Sequence, residues 1–135
     1  MAAARALIER YSRLSGLRFD GLLRRVEHAP ISPAMKAGMM EGIRRNMAPT
    51  RDYWRRMWAY ETEAVGAYDV MLDILERSRW TRRGTQFIFA AGADSTAFNR
   101  QNSELDRIVA AQDALDVEQR NRARQSIGRL RDATR

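Results

Sequence analysis

The stretch TRDYWRRMWAYETEAVGAYDVMLDILERSR, which runs from Thr50 to Arg79, decides the fold. At 100° per residue, its apolar side chains fall on two adjoining stripes that together span about 200° of a helix. A surface helix with one neighbour shows a stripe of only about 100°. We therefore predict a central helix over about 50–79 that packs against at least two neighbours. The stripes hold Trp54, Trp58, Glu61, Val65, Tyr68, Leu72 and Leu75 on one side and Tyr53, Met57, Tyr60, Ala64, Ala67, Met71 and Ile74 on the other.

Two further helices are predicted before the central one. Residues 3–29 carry apolar side chains at helical spacing, with a break or kink near Gly16 and Gly21. Ser32-Pro33 then forms a start signal, because an N-cap serine is followed by proline at the first helical position. We predict that the short Met-rich helix beginning there ends before Ala48-Pro49.

A last long helix is predicted over about 95–132. We dock it antiparallel to the central helix. The fold class is then all-α, a bundle built on two long antiparallel helices with a kinked N-terminal helix and a short Met-rich helix. The connection from Trp80 to Asp94 is predicted as either a short helix or a buried connection. The residues of the last helix that we expect to face inward are Phe98, Leu105, Ile108, Val109, Leu115, Ala123, Ile127 and Leu130.

The composition supports one helical domain over residues 1–135. This length is enough to bury a core, and only three of the residues are proline. The longest strongly apolar run, 87–91, is far shorter than the ~20 residues that a membrane span needs. Arg5, Glu9 and Arg10 interrupt the apolar core that an export signal requires. We therefore expect a cytoplasmic protein.

The inventory of reactive side chains argues against catalysis. Cysteine is missing, which excludes thiolate nucleophiles and sulfur-ligated metals. His28 is the sole histidine and lies beside Pro30 at a predicted helix end, where we expect a capping or surface role. The paired glycines lack the lysine and the serine or threonine of a phosphate-binding loop. We expect no enzyme activity, no metal and no cofactor.

A flexible apolar face marks the short second helix. Methionine-rich faces adapt to irregular partner surfaces, but they also fill irregular cores. Both roles stay open, and the first of them predicts a partner-binding surface. The residues of this face are Met35, Met39, Met40, Ile43 and Met47.

Glu61 stands within the apolar stripe of the central helix, between Trp58 and Val65. An unpaired carboxylate is costly in such surroundings, so we predict a buried polar residue that has a partner. In one hypothesis Glu61 pairs with a cation of another molecule or specifies helix register. In the other, Glu61 pairs with an arginine of the first helix or reaches water at the end of the bundle.

Arginine supplies almost all of the positive charge, since the net charge is +7 and Lys36 is the only lysine. This excess reflects either a GC-rich genome or selection for phosphate and carboxylate recognition. Arginines interleaved with aromatic residues, as in 51–58, are typical of surfaces that bind single-stranded nucleic acid. The alternative is that Trp54 and Trp58 are buried and that the basic C-terminal end is solvated. The predicted basic patch holds Arg51, Arg55, Arg56, Arg120, Arg122, Arg124, Arg129 and Arg131.

The charges are also segregated along the chain. Residues 61–76 hold five acidic side chains and no basic one, whereas residues 120–135 hold six arginines against Asp132. We interpret the protein as a non-catalytic protein–protein interaction module, a bacterial adaptor or assembly component that acts through its helical faces. Its expected partner is another protein or a second copy of the chain. The alternative is non-specific nucleic-acid binding through the arginine-rich surface, and a membrane surface is the least favoured partner.

Overall fold

Three helices and one β-hairpin are seen in the computed structural model, which describes the backbone of residues 2–133 and the side chains of residues 2–126. In chain order, the elements are α1 (Ala2–Glu27), α2 (Pro33–Arg77), β1 (Trp80–Arg83), β2 (Gln86–Phe89) and α3 (Gly92–Ala133). α1 and α3 both pack against α2. The predicted all-α fold class is confirmed, and so is the prediction that the central helix has at least two neighbours.

α2 includes both the predicted Met-rich helix and the predicted central helix. It has 45 residues, which corresponds to about 67 Å. Pro49 lies inside it, so the predicted helix end at this proline is wrong. A proline within a helix costs about 3 kcal/mol. α1 packs on both sides of Pro49 and offsets that cost: Lys36 donates to the Glu27 carbonyl at 2.8 Å, and the Arg51 guanidinium lies 5.9 Å from the centre of the Phe19 ring.

The start of α2 is as predicted. Ser32 is the N-cap, and its hydroxyl accepts a hydrogen bond from the Met35 amide at 3.3 Å. Pro33 occupies the first turn, where its missing N–H would have had no helical partner. At the other end, the Ser78 amide donates to the Ile74 carbonyl at 3.0 Å and closes the helix.

α1 runs antiparallel to α2, because contacts made later in α1 reach earlier positions of α2. Arg5 forms an ion pair with Asp69, and Tyr11 stacks on Trp58 with ring centroids 6.3 Å apart. The helix continues through Gly16 and Gly21 without interruption, so the predicted break is not present. The single histidine, His28, lies at its C-terminal end and is exposed, with Nδ1 2.8 Å from the Arg24 carbonyl oxygen, and its predicted capping role is confirmed.

α3 runs antiparallel to α2, as predicted, and begins three residues before the predicted Ser95. The pairs between the two helices show the direction, because the α3 numbers fall from 116–118 to 94 as the α2 numbers rise from 53–56 to 77. These pairs are Tyr53 with Asp116 at 2.5 Å, Arg56 with Glu118 at 3.7 Å, Glu61 with Gln112 at 2.9 Å, Glu63 with Arg107 at 2.6 Å, and Arg77 with Asp94 at 4.0 Å.

The connection between α2 and α3 is a β-hairpin, which corrects the predicted short helix or buried connection. β1 and β2 pair antiparallel, from Trp80 opposite Phe89 to Arg83 opposite Gln86. The two-residue turn begins at Gly84, whose φ of +61° suits the first turn position of a type II′ hairpin. Trp80, Phe87 and Phe89 form an aromatic cluster with Phe98 of α3, with neighbouring ring centroids 5.0–5.4 Å apart. This cluster fixes the hairpin on α3.

The buried core is small. Among the described side chains, six apolar residues are buried, namely Val26, Val65, Ala67, Ile74, Ile108 and Leu115. Ile74 and Ile108 are the most deeply buried, each only 1% exposed. At helical spacing, Ala67 and Ile74 follow Glu63 on the side of α2 that faces α3. Most of the core therefore lies between α2 and α3.

α1 and α3 lie on different sides of α2. At 100° per residue, the α2 positions that contact α1 and those that contact α3 are centred about 160° apart around the helix axis. The first group is represented by Arg51, Trp58 and Asp69, and the second by Tyr53, Arg56 and Glu63. The three helices therefore form a layer with α2 in the middle, and the layer has two faces.

Candidate functional site

One face of the layer carries large apolar side chains that remain exposed. Their exposed fractions range from 39% at Trp54 to 54% at Val109. A single exposed apolar residue is normal, but a contiguous set of them marks an interaction site. We call this set the apolar face. It consists of Leu7, Tyr11, Leu14 and Leu22 of α1, Trp54, Tyr68 and Leu72 of α2, and Val109 of α3.

Contacts between the helices place these residues on one side of the layer. On α2, Trp54, Tyr68 and Leu72 belong to one helical stripe. Tyr11 stacks on Trp58, and Trp58 stacks on Trp54 with centroids 6.0 Å apart, which brings the Tyr11 side of α1 next to that stripe. Glu61 of the same stripe accepts a hydrogen bond from Gln112 of α3. Val109 lies one helical turn from Gln112 and therefore borders the stripe from the other side.

α1 presents more apolar arc than its one large neighbour covers. Ile8, Leu23 and Val26 are half-buried or buried and lie on the arc that faces α2. The α1 residues of the apolar face lie on an adjoining arc, and at 100° per residue the two arcs together span about 180°. Because a helix with one neighbour needs only about 100° of apolar surface, α1 lacks a second neighbour.

The sequence predicts that Val109 faces inward, and for these α1 residues it predicts only their helical spacing. The width of the α1 arc was the available signal: it is comparable with the arc that correctly predicted two neighbours for α2. α3 is already committed to the opposite side of α2. The part of α1 that α3 would have covered in a closed bundle therefore remains exposed.

Four aromatic residues form a cluster where α1 crosses α2. Tyr53 packs edge-on against Trp54 at 5.1 Å, and the stack continues through Trp58 to Tyr11. Trp58 is half-buried, and its buried indole nitrogen has no hydrogen-bond acceptor among the described residues. Trp54 is exposed, so the prediction that both tryptophans are buried is wrong for Trp54 and only partly right for Trp58.

Glu61 lies at the middle of the apolar face and is half-buried, which corrects the prediction of a buried carboxylate. The Gln112 amide donates to it at 2.9 Å. Its partner is thus neither an arginine of α1 nor water alone. The side-chain amide satisfies one oxygen of Glu61 and does not neutralise its charge.

The predicted methionine face divides between the protein interior and its surface. Met35 and Met39 are 56% and 46% exposed, whereas Met40, Ile43 and Met47 are half-buried. At helical spacing, Met40 and Met47 follow the side of α2 that carries Trp58 and faces α1. The two exposed methionines remain available to a partner, and partner binding by this face stays a prediction.

The two parts of the predicted basic patch meet where α2 crosses α3. Asp52 lies 2.6 Å from Arg55 and 3.9 Å from Arg56. Glu118 lies 3.7 Å from Arg56 and 2.5 Å from Arg122. The hydrogen bond from Arg55, together with the surrounding positive charge, lowers the pKa of Asp52 below its ordinary value. Three of the predicted phosphate-binding arginines are therefore engaged with carboxylates of this chain.

The other arginines of the basic patch differ in their surroundings. Arg51 lies over the Phe19 ring, and Arg120 donates to the carbonyl of Asp116 at 3.3 Å in its own helix. Arg124 is exposed. The side chains of two further members lie outside the described residues, and these are Arg129 and Arg131.

Charge is segregated along α2. Residues 33–56 carry six basic and two acidic side chains, and residues 61–76 carry five acidic and no basic side chains. Within the acidic segment, Glu63 and Asp69 pair with arginines of α3 and α1. The part of the chain with described side chains offers no ion-pair partner to Glu76. On α2 the apolar face thus extends from the basic half, which contains Trp54, to the acidic half, which contains Tyr68 and Leu72.

Two open grooves of about 380 and about 420 Å³ lie between α1 and α2 and share Ser12, Arg55 and Trp58. They show that α1 fits loosely on α2. Across the described residues, no three histidine or carboxylate side chains come close enough together to hold a metal ion. The arrangement offers apolar contact area flanked by charge, which is the means by which helices bind other helices.

Comparisons with protein-family models, with curated proteins and with solved structures find no match to this chain. Within the described residues, no helix is both long enough and apolar enough to cross a membrane.

Proposed function

We propose that this protein is a non-catalytic interaction module, an adaptor or assembly component that binds a helical partner on the apolar face. The observation that carries the proposal is the apolar arc of α1, which is wide enough for two neighbours and has one. A partner helix laid beside α1 and α2 would bury Leu14, Trp54 and Leu72 together. Burying such a surface is favourable by about 25 cal/mol per Å² of apolar area.

Two further features support this proposal over the alternatives. His28, the only histidine, is engaged at the end of its own helix, and three arginines of the basic patch already contact carboxylates. A cytoplasmic location belongs to the same proposal.

The test uses engineered cysteines, which are unambiguous because the chain has none. Single substitutions Leu14→Cys and Leu72→Cys place a thiol on the apolar face. Val117→Cys is the matched control, since Val117 is 52% exposed and lies on the side of α3 away from α2. The labelling rate with a maleimide is measured in the native cells and again with dilute purified protein. We expect slower labelling in cells at positions 14 and 72 but not at 117.

The proposal would be overturned if, at each of the three positions, the labelling rate in cells equalled the rate in dilute solution. Protection that disappears when extracts are treated with nuclease would instead favour the nucleic-acid hypothesis. Protection that survives nuclease and is lost after mild protease treatment of the extract supports a protein partner.

A further inference from the structure

We infer that the partner on the apolar face is a second copy of this chain, packed face to face with its α2 antiparallel to the first. This inference rests on the proposed function, because it identifies what covers the same face. Three independent properties of the described residues support it, namely the amount of exposed surface, the position of the apolar stripe and the distribution of charge.

The exposed surface is too large for a typical monomer of this size. The chain exposes 10411 Å², whereas a folded monomer of 15.6 kDa exposes roughly 7,300 Å². The excess is about 3,100 Å². Obligate homodimers bury about 2,000–5,000 Å² in total, or about 1,000–2,500 Å² from each copy. The excess exposed surface of one chain is therefore larger than the area that each copy buries in an obligate homodimer.

The apolar stripe of α2 is nearly symmetric about its own centre. Its exposed ends are Trp54 and Leu72, so its midpoint falls at position 63. A two-fold axis across α2 at this position places Trp54 of each copy against Leu72 of the other and Trp58 against Tyr68. Such an isologous contact uses the same surface twice, and each indole meets an apolar or aromatic side chain.

The charge distribution selects the antiparallel arrangement. A parallel dimer would place the acidic segment 61–76 against itself, which like charges oppose. The antiparallel dimer places residues 66–76, which carry three acidic side chains, against residues 50–60 of the other copy, which carry three arginines and Asp52. Glu76, which has no ion partner in the described residues, then lies one residue from the position opposite Arg51, whose guanidinium lies over the Phe19 ring. Two Glu76–Arg51 pairs form, one on each side of the two-fold axis.

The first measurement is light scattering coupled to gel filtration over a range of protein concentrations. We expect a mass twice the 15.6 kDa of one chain. Leu72→Glu is expected to give a monomer, and the control Val117→Glu is expected to remain dimeric. Far-UV circular dichroism checks that both variants are folded. A monomeric wild-type chain at every concentration would overturn the inference, and so would a Leu72→Glu variant that is folded and dimeric.

A charge-swap experiment tests the register without altering the apolar stripe. In the Arg51→Glu homodimer, each substituted glutamate meets Glu76 of the other copy, so both pairs are repulsive. In the Glu76→Arg homodimer, each substituted arginine meets Arg51 of the other copy, so both pairs are again repulsive. Each variant alone is expected to dimerise at least about tenfold more weakly than the wild type at low salt. An equimolar mixture restores both attractive pairs and is expected to regain wild-type affinity. Failure of the mixture to recover would overturn the antiparallel register.

Engineered disulfides distinguish the two directions. Positions 51 and 76 lie about 37 Å apart along one helix, and a disulfide needs Cα atoms within about 7 Å. The antiparallel dimer predicts a disulfide between Arg51→Cys and Glu76→Cys chains only when they are mixed. Homodimers of Arg51→Cys alone would overturn it. If the wild type is monomeric while the face is protected in cells, the inference fails and the proposed function stands. If the wild type is monomeric and the face is also unprotected in cells, both fail.

Discussion

The two interfaces of α2 are built differently. The α2–α3 interface holds most of the buried aliphatic residues, including Ile74 and Ile108. It also carries hydrogen bonds and ion pairs along its whole length. The α1–α2 interface consists mainly of one aromatic stack, one exposed ion pair and open grooves. Four leucines of α1 are at least 40% exposed, namely Leu7, Leu14, Leu17 and Leu22.

This difference separates a structural task from a binding task. α2 and α3 hold most of the buried core between them. α1 is attached to α2 through a face that leaves about half of its apolar arc free. Segments with few buried contacts open at lower free energy than core segments, so α1 is the element best suited to adjust to a partner.

The largest expected effect is in the α2–α3 interface. Ile108→Ala should lower the free energy of unfolding by about 2–5 kcal/mol, because it leaves a cavity in the most buried part of the core. Its neighbour in sequence supplies the control: Val109 is 54% exposed, and Val109→Ala should change that free energy by less than about 0.5 kcal/mol. Urea denaturation of dilute protein measures both. Equal effects would show that the α2–α3 interface is no better packed than its surface.

A second substitution should stabilise the α1–α2 interface and so reduce the difference in stability between the two interfaces. Pro49→Ala restores a backbone donor in the part of α2 that α1 covers, and we expect it to raise the free energy of unfolding by about 1–3 kcal/mol. Pro33→Ala is the control, since a proline in the first turn removes no helical hydrogen bond. Denaturation and amide exchange of residues 33–50 report the change. A destabilised Pro49→Ala variant would mean that α1 requires a bend there.

Local pattern was sufficient for much of this fold. The apolar arc of α2 predicted two neighbours, and Ser32-Pro33 predicted its first turn. Pro49 was misjudged because the sequence shows the intrinsic cost of a proline but not the packing of α1 that offsets it. The hairpin differs from the predicted short helix or buried connection, although the Gly84-Thr85 pair between WTRR and QFIF is a hairpin signal.

The candidate site was harder to predict than the fold. A stripe of apolar residues shows that a helix has a buried or bound side, but it does not show what covers that side. Val109 is predicted to face inward for this reason, and the structure places it at the surface. Only the positions of α1 and α3 on α2, which depend on contacts distant in sequence, distinguish core from apolar face.

The hairpin that joins α2 to α3 provides a third test, since the connection between α1 and α2 contains no hairpin. Gly84→Ala should lower the free energy of unfolding by about 1–2 kcal/mol, because the φ of +61° is unfavourable for a residue with a Cβ. Gly66→Ala should raise it by about 1 kcal/mol, because the site is helical and open space surrounds it. Thermal unfolding would refute this pair of predictions if the two shifts had the same sign.

The smallest expected effect concerns the polar contacts of the two interfaces. The Tyr53 hydroxyl donates to Asp116 across the α2–α3 interface, and this hydrogen bond, with burial, raises the pKa of Tyr53. A raised pKa in the folded state means that the stabilisation is complete below the ordinary tyrosine value of about 10. It is lost as the pH rises through the folded-state value.

Tyr53→Phe should therefore lower the free energy of unfolding by about 0.5–1.5 kcal/mol at neutral pH, and the difference from wild type should vanish under strongly alkaline conditions. Tyr60→Phe controls for the loss of a hydroxyl on the same stripe. In the other interface, Arg5→Ala removes an ion pair whose arginine is 60% exposed, so a change of at most about 1 kcal/mol that weakens with salt is expected. Denaturation at several pH values and salt concentrations separates the two cases, because the hydroxyl contact responds to pH and the ion pair to salt. A Tyr53→Phe effect independent of pH would show that ring packing, and not the hydrogen bond to Asp116, holds α3 at this point.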